Sequence, residues 1–298
     1  MGKHEEFFKK VPMNGRKGCL RFMTEMDGNF LNWESMSIRY GLVDKEGVIP
    51  EETDKLHVHD YDEAIMFLSQ DADDMLTLGG ELEVTLGTDG VRHRIDLPSI
   101  VSIPAGTPHF SPKVRKVDRP FLYFSVAFNK EFKAEVTDEQ AVQGEGPWIQ
   151  FRAPYFDKVN VLNFAIRDPY HYASDVPEDS GGIGTLVDTH VAGFPMMCGW
   201  QTVGKPHNMG PRRDDGKRHP HAHEDFDEML AFFSLDPDNL TDLHGEFEFS
   251  LGAEGDEERY VCSEAAVFPM RKGYFHLPLV FTKVDKPFVF FTLSRNMA

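Results

Sequence analysis

The sequence predicts an all-β protein built as two consecutive antiparallel barrels of jelly-roll type, related by pseudo-two-fold symmetry. Three observations lead there. Short apolar segments recur at regular spacing and are broken by Gly and Pro, the pattern of antiparallel sandwiches and jelly rolls. The second half of the chain repeats the first, roughly 165 residues further on. Each half also carries the same set of histidines and a glutamate on segments with strand-like alternation.

The first set is His57, His59 and Glu63, followed at a distance by His109 after Pro104 and Gly106. On an extended strand, residues two apart share a face, so His57, His59 and Glu63 have the same parity. Three neutral imidazoles and one carboxylate suit a divalent metal. The second set is His221, His223, Glu228 and His276. Matched stretches extend the repeat. Asp62-Glu63 answers to Asp227-Glu228, Gly80-Glu81-Leu82-Glu83 to Gly245-Glu246-Phe247-Glu248, and Lys116-Val117-Asp118 to Lys283-Val284-Asp285. Two small insertions separate the halves. One lies between His223 and Glu228, where it is expected to bulge the strand. The other widens the turn from Pro269 to Gly273.

On these residues the chain resembles the cupin superfamily, and within it the two-domain bicupins. The cupin pattern has a first motif, H-x-H followed by a Glu, and a second motif, P-x-G-x-x-H. His57, His59, Glu63 and His109 fit both motifs; His221, His223, Glu228 and His276 fit with the wider second turn. The sequence departs from the pattern where the leading glycine falls on Glu51, the trailing glycine on Gln70 and Leu235, and the closing asparagine on Lys113. The resemblance covers residues 30–129 and 190–296. It implies one divalent ion per domain, Fe(II), Mn(II), Ni(II) or Zn(II). It implies an enzyme acting on a small oxygenated acid, phenol or enol. Dioxygenase-type chemistry is slightly favoured; decarboxylase, isomerase or cyclase activity is the alternative, and metal-dependent binding without turnover is another. Glu63 and Glu228 are the candidate catalytic carboxylates as well as ligands.

Composition bounds the partners. A chain of 298 residues with 25 Phe can bury two modest cores. The predicted domains are an N-terminal barrel over residues 18–129, a linker with strands over 130–185, and a C-terminal barrel over 186–298. A net charge of −18 argues against nucleic acid and anionic membranes, which need basic surface. It leaves room for an anionic small molecule, because a bound cation can dominate a cleft. Three scattered cysteines indicate neither a disulfide framework nor a zinc knuckle. The N-terminus has no apolar leader and no apolar run is long enough to span a membrane, so a cytoplasmic protein is expected. Exposed sheet edges make a homodimer the expected assembly.

In chain order, residues 1–17 read as a polar lead-in. Residues 19–23, 36–41, 57–67, 81–86, 100–103 and 121–126 read as strands, the last fully buried. Gly80 and Gly245 suggest turns, and the four glutamates beside them a solvated face. Residues 131–143 have helix-forming composition, ended by a break at 144–147. Residues 205–219 read as a cationic loop ahead of the second H-x-H. Asp227 competes with Glu228 as ligand, since it has the even spacing from His223. Arg39 and Gln201 fall on strands that could line the cavities; the plainer reading of Arg39 faces solvent. His93, His207, His219 and His244 have no repeat partner and read as surface.

Overall fold

The computed structural model describes residues 2–71, 74, 77–87, 91–137, 144–148, 160–163, 184–187, 197–209 and 218–296. It divides into two compact units, one built on Pro12–Asp168 and the other on Pro195–Ala298 together with Met1–Val11. The expected loops at 169–172 and 179–182, and residues 210–217 of the cationic loop, lie outside the described residues.

In the first unit, six strands form one sheet in the order Asn160–Asn163, Ser99–Ile103, Glu63–Ser69, Phe121–Ala127, Ser37–Val43 and Leu20–Met26. A second sheet runs Gly144–Trp148, Val91–Ile95, Gly80–Leu86, Lys113–Val117 and Gly47–Val48. The other unit repeats this scheme. Ala266–Met270, Phe226–Ser234, Phe288–Asn296 and Met197–Val203 are adjacent in one sheet. Glu258–Glu264, Asp242–Leu251, His276–Val284 and His207–Met209 are adjacent in the other. Each unit is therefore a two-sheet barrel, antiparallel except where Gly144–Trp148 joins Val91–Ile95, and the fold is all-β as the sequence predicts.

The burial patterns explain why. Glu63–Ser69 and Phe121–Ala127 are buried at every position, so both faces lie away from water. Gly80–Leu86 alternates buried and half-buried, placing Leu82, Val84 and Leu86 inside and Glu81 and Glu83 at the wet face. Phe67, Phe121, Tyr123 and Ile65 join the core of the first unit. In the other unit Phe232 stacks on Phe247 with ring centroids 3.8 Å apart and on Phe290 at 5.2 Å. Such contacts give aromatic cores a specific packing as well as buried area.

Gly80 and Gly245 are not turn residues. Both lie in strands, and a Cβ on Gly80 would sit 2.7 Å from Phe121 Cε1 and 2.6 Å from Lys116 O. On Gly245 it would sit 2.7 Å from both Phe288 Cε1 and Lys283 O. Glycine recurs there because a core phenylalanine packs directly against the backbone.

Other local expectations also change. Glu135–Val136 is a strand paired with His57–Val58 rather than part of a helix. Gly144–Trp148 is a strand parallel to Val91–Ile95 rather than a break. The lead-in contributes Lys9–Lys10 as an edge strand on Ala266–Met270, so the chain's start belongs to the second unit. His207–Met209 is a strand inside the expected cationic loop. The first motif is not one strand: it breaks at residues 59–62, between His57–Val58 and Glu63–Ser69. Among the described residues no helix is long and apolar enough to cross a membrane.

Candidate metal centres

In each unit the distant third histidine is held opposite the first by a reciprocal backbone pair. His57 N donates to His109 O at 3.0 Å, and His109 N to His57 O at 2.9 Å. His221 and His276 repeat this at 3.0 and 2.9 Å. The turn before the third histidine is tied to the second: Gly106 N donates to His59 O, and Gly273 N to His223 O, both at 2.7 Å. Both glycines have positive φ, 77° and 76°, a conformation that favours glycine and explains that fixed point of the motif.

The adjacent aspartates have a separate task. Asp62 Oδ1 accepts from Ala105 N at 3.0 Å, and Asp227 Oδ1 from Lys272 N at 2.8 Å. They pin the turn, while the neighbouring glutamates face the histidines. The extra residue before Glu228 makes no bulge: the strand Phe226–Ser234 starts two residues ahead of Glu228, whereas Glu63–Ser69 starts at Glu63, and its register is unbroken.

In the first centre, His57, His59 and His109 each present one nitrogen, all within 4.8 Å of one another. Glu63 Oε2 is 3.2 Å from His59 Nδ1 and 3.7 Å from His109 Nε2. Ser125 Oγ donates to Glu63 Oε1 at 2.6 Å, which orients the carboxylate. In the second centre, the Nε2 atoms of His221 and His223 approach to 3.2 Å. Glu228 Oε2 is 3.3 Å from His223 Nε2 and 3.0 Å from His276 Nε2. Donors about 2.1 Å from one ion lie about 3.0 Å apart when adjacent and about 4.2 Å apart when opposite on an octahedron. The individual separations of 3.2 and 3.7 Å in the first set and 3.2, 3.3 and 3.0 Å in the second fall in that range.

Tautomers and charge agree with metal donation. His57 Nδ1–H donates to Lys55 O at 2.7 Å, His109 to Thr107 O at 2.9 Å and His276 to Tyr274 O at 3.0 Å. That leaves the Nε2 lone pair free, as a metal-binding imidazole requires. Nε2 of His57, His59, His109 and His276 and Oε2 of Glu63 are buried and make no hydrogen bond. Buried polar atoms without partners are rare, and a cation in the cluster would satisfy all of those in the first centre together. Burial lowers the His57 pKa and takes His109 down to about 3; burial, with His276 and His223 close by, takes His221 to about 4. Burial would raise Glu63, but His59, 3.2 Å away, and the nearby His109 hold it at about 2. Burial is likewise outweighed at Glu228, where His223 and His276 hold the carboxyl at about 2. His57, His109 and His221 are thus held neutral and Glu63 and Glu228 charged at neutral pH, the forms that bind metal.

Access separates the two centres. The His59 side chain is 2% exposed, and that of His223 is 25% exposed. Phe226 stacks on His223 with centroids 4.2 Å apart and fixes the ring at the mouth.

Several neighbours stand differently from their plainer sequence readings. Arg39 is buried, and its guanidinium is held by Glu25 at 2.8 Å and Glu52 at 2.7 Å, with Phe132 beneath it at 3.8 Å. It therefore faces inward, with Nε and Nη2 already engaged by carboxylates. His207 is buried too, with Nδ1 on Lys205 O and Nε2 3.4 Å from Gln201 Nε2. Glu51 and Glu52 enter the first centre, with Glu51 Oε2 3.9 Å from His57 Nε2 and Glu52 Oε2 3.8 Å from His59 Nε2. Burial, with Glu63 and Glu52 nearby, pushes the Glu51 carboxyl well above the usual range. The available signal was Glu51 standing where the cupin motif has glycine.

Two barrels of this topology in tandem, each with its own histidine–glutamate cluster, define a bicupin fold. No family model matches the sequence, and no curated protein sequence matches it. Solved structures of oxalate decarboxylase from Bacillus subtilis do match in fold. One at pH 4.6 has a TM-score of 0.60 at 14% identity, covering 96% of this chain and 74% of that chain. Another, from work on that enzyme's Mn(II) centres, covers 97% and 76% at the same TM-score and identity. A deletion variant of the same enzyme gives 0.61 at 14% identity, over 96% and 75%.

Proposed function

We propose that the protein is a metal-dependent lyase that decarboxylates a small carboxylic acid, with an oxalate-like dianion as the reference substrate and Mn(II) as the reference ion. The observation that carries this is the pair of complete donor sets in a fold shared, over almost the whole chain, with a bicupin decarboxylase. The slight preference for dioxygenase chemistry drawn from the motifs gives way to its alternative on that likeness.

In this reading His57, His59, Glu63 and His109 hold one ion, and His221, His223, Glu228 and His276 another. A bound divalent ion holds a substrate carboxylate and draws electron density from it. The departing carboxylate leaves as carbon dioxide, and solvent, which reaches His223, would supply the proton that takes its place. The second centre is the better candidate for turnover because His223 is reachable from solvent. Glu228 stays ionised as a ligand and, at about 2, has no proton to give at neutral pH. Ligand charge also matters: one carboxylate on a divalent ion leaves a local surplus of positive charge for an anion, on a protein of net charge −18.

The experiment supplies the full chain, stripped of metal and reloaded with Mn(II), with oxalate and a panel of small mono- and dicarboxylic acids. Carbon dioxide, the shortened acid and dissolved oxygen are followed together. The expected result is one carbon dioxide per acid consumed, no net oxygen uptake, and a loss of roughly 100-fold or more in folded His223→Ala protein. Oxygen consumed in step with product would restore the dioxygenase reading. No turnover across the panel would leave metal-dependent binding.

A further inference from the structure

The first centre contains more carboxylate than three histidines and one glutamate require. Glu51 reaches it from the segment just after Pro50, and its side chain is 1% exposed. Its Oε2 lies 3.9 Å from His57 Nε2, and both atoms are buried without a hydrogen bond. Its Oε1 lies 3.5 Å from the Tyr123 hydroxyl, which donates to it and fixes the carboxylate's direction. Glu51, Glu52 and His57 each put one donor atom within 4.8 Å of the other two.

The two glutamates differ in one respect that decides their roles. Glu52 Oε1 is paired with Arg39 Nη2 at 2.7 Å, so its charge already has a counter-ion. Among the described residues Glu51 forms no ion pair with a lysine or arginine; the groups around it are His57, Tyr123, Ser111, Glu52, Glu63 and Arg39. A buried carboxylate needs a cation or a proton. The separation of 3.9 Å from His57 Nε2 falls between the adjacent and opposite spacings, about 3.0 and about 4.2 Å, of an octahedral ion. An ion on His57 Nε2 therefore comes within reach of Glu51 Oε2.

We infer that Glu51 is a fifth protein ligand of the first metal centre, occupying a coordination position that would otherwise take water or substrate. This rests on reading both clusters as metal centres. The first centre then has five protein donors, two of them carboxylates, and no net positive charge on a divalent ion. It offers at most one exchangeable position among side chains no more than 2% exposed, so it binds metal without binding an anionic substrate. The four-donor second set keeps two positions. The departure from glycine at residue 51 thereby acquires a chemical meaning: it converts one copy of a duplicated site into a closed centre.

The test uses Mn(II) alone and does not depend on turnover. Metal-free full chain carrying His223→Ala, which disables the second centre, is titrated with Mn(II); free ion is read by electron paramagnetic resonance and bound water by proton relaxation. The expected result is one bound Mn(II) with low relaxation enhancement. Adding Glu51→Gln weakens binding about tenfold and raises the enhancement as a water enters. Glu51→Asp lies between the two. Glu52→Gln removes the same charge but leaves the enhancement unchanged. Unchanged affinity and enhancement in both folded Glu51 variants would overturn the assignment, as would an equal rise in Glu52→Gln. If His223→Ala protein binds no ion at all, the first centre is not a metal site and Glu51 falls with it. The reciprocal His59→Ala protein, retaining one Mn(II), would show that the second centre survives that failure.

Discussion

Asp227→Ala separates the turn-pinning role of this aspartate from the ligand role its spacing suggests. In the structure Asp227 Oδ1 accepts from Lys272 N at 2.8 Å, in the turn that also gives Gly273 N to His223 O and leads into His276. A hydrogen bond to a charged group contributes about 1.5–3 kcal/mol net. Lys272 is exposed, so water replaces the lost acceptor and the lower end applies, about 1.5 kcal/mol. If ordering that turn is required to bring His276 to the ion, the loss appears in metal affinity as about tenfold. Mn(II) titration of metal-free protein should therefore show one site weakened about tenfold and the other unchanged. Asp62→Ala, which releases Ala105 N, should weaken the other site instead. Complete loss of the ion from the second centre in folded Asp227→Ala protein would make Asp227 a ligand and refute the argument. An unchanged titration would show that the turn needs no pin.

Metal-free protein should lose stability as the pH falls. His109 at about 3 and His221 at about 4 lie below the ordinary 6.5, so the unfolded chain binds their protons first and stability drains from 6.5 down to about 3. Glu63 and Glu228, at about 2 against 4.5, extend the loss from 4.5 down to about 2. Urea midpoints at descending pH check this, and a midpoint that rises on acidification contradicts it. Gly80→Ala and Gly245→Ala should each cost about 1–3 kcal/mol through overpacking against Phe121 and Phe288, read from denaturant midpoints. A wild-type midpoint in either would mean that the barrel yields more easily than its contacts suggest. Ser125→Ala removes the buried 2.6 Å bond to Glu63 and should weaken only the first centre for Mn(II), about tenfold.

The histidines were legible because their spacing is set by backbone geometry. Residues two apart, and a turn whose glycine must take positive φ, leave marks that survive in sequence. The carboxylates were less legible. Parity along one strand favoured Asp227 over Glu228, but residues 224–225 interrupt the strand and parity does not cross that bend. Gly80 and Gly245 looked like turns because a glycine under a phenylalanine leaves the same letter in the sequence as one with unusual φ. The strand at Glu135–Val136 has helix-forming composition, yet pairing with His57–Val58 overrides propensity. Lys9–Lys10 joins strand Ala266–Met270, a partner so distant that no local signal announces it.

The duplication also explains why similar donors need not have similar chemistry. Backbone ties recur almost bond for bond: the first-to-third histidine pair, the glycine on the second histidine and the aspartate on the turn. These ties fix where the donors converge, so they constrain both copies alike. They do not fix what approaches from the mouth. There the copies differ, with Glu51 and Glu52 beside the first histidines and an accessible His223 stacked on Phe226 in the second cluster. A carboxylate buried beside the histidines competes directly with a carboxylate substrate for the same ion. Substituting that one side chain changes the charge and the vacancy of a centre without disturbing the backbone that builds it. In the proposed enzyme, the carboxylate added beside the four shared donors, rather than those four, is therefore where the two centres part in function.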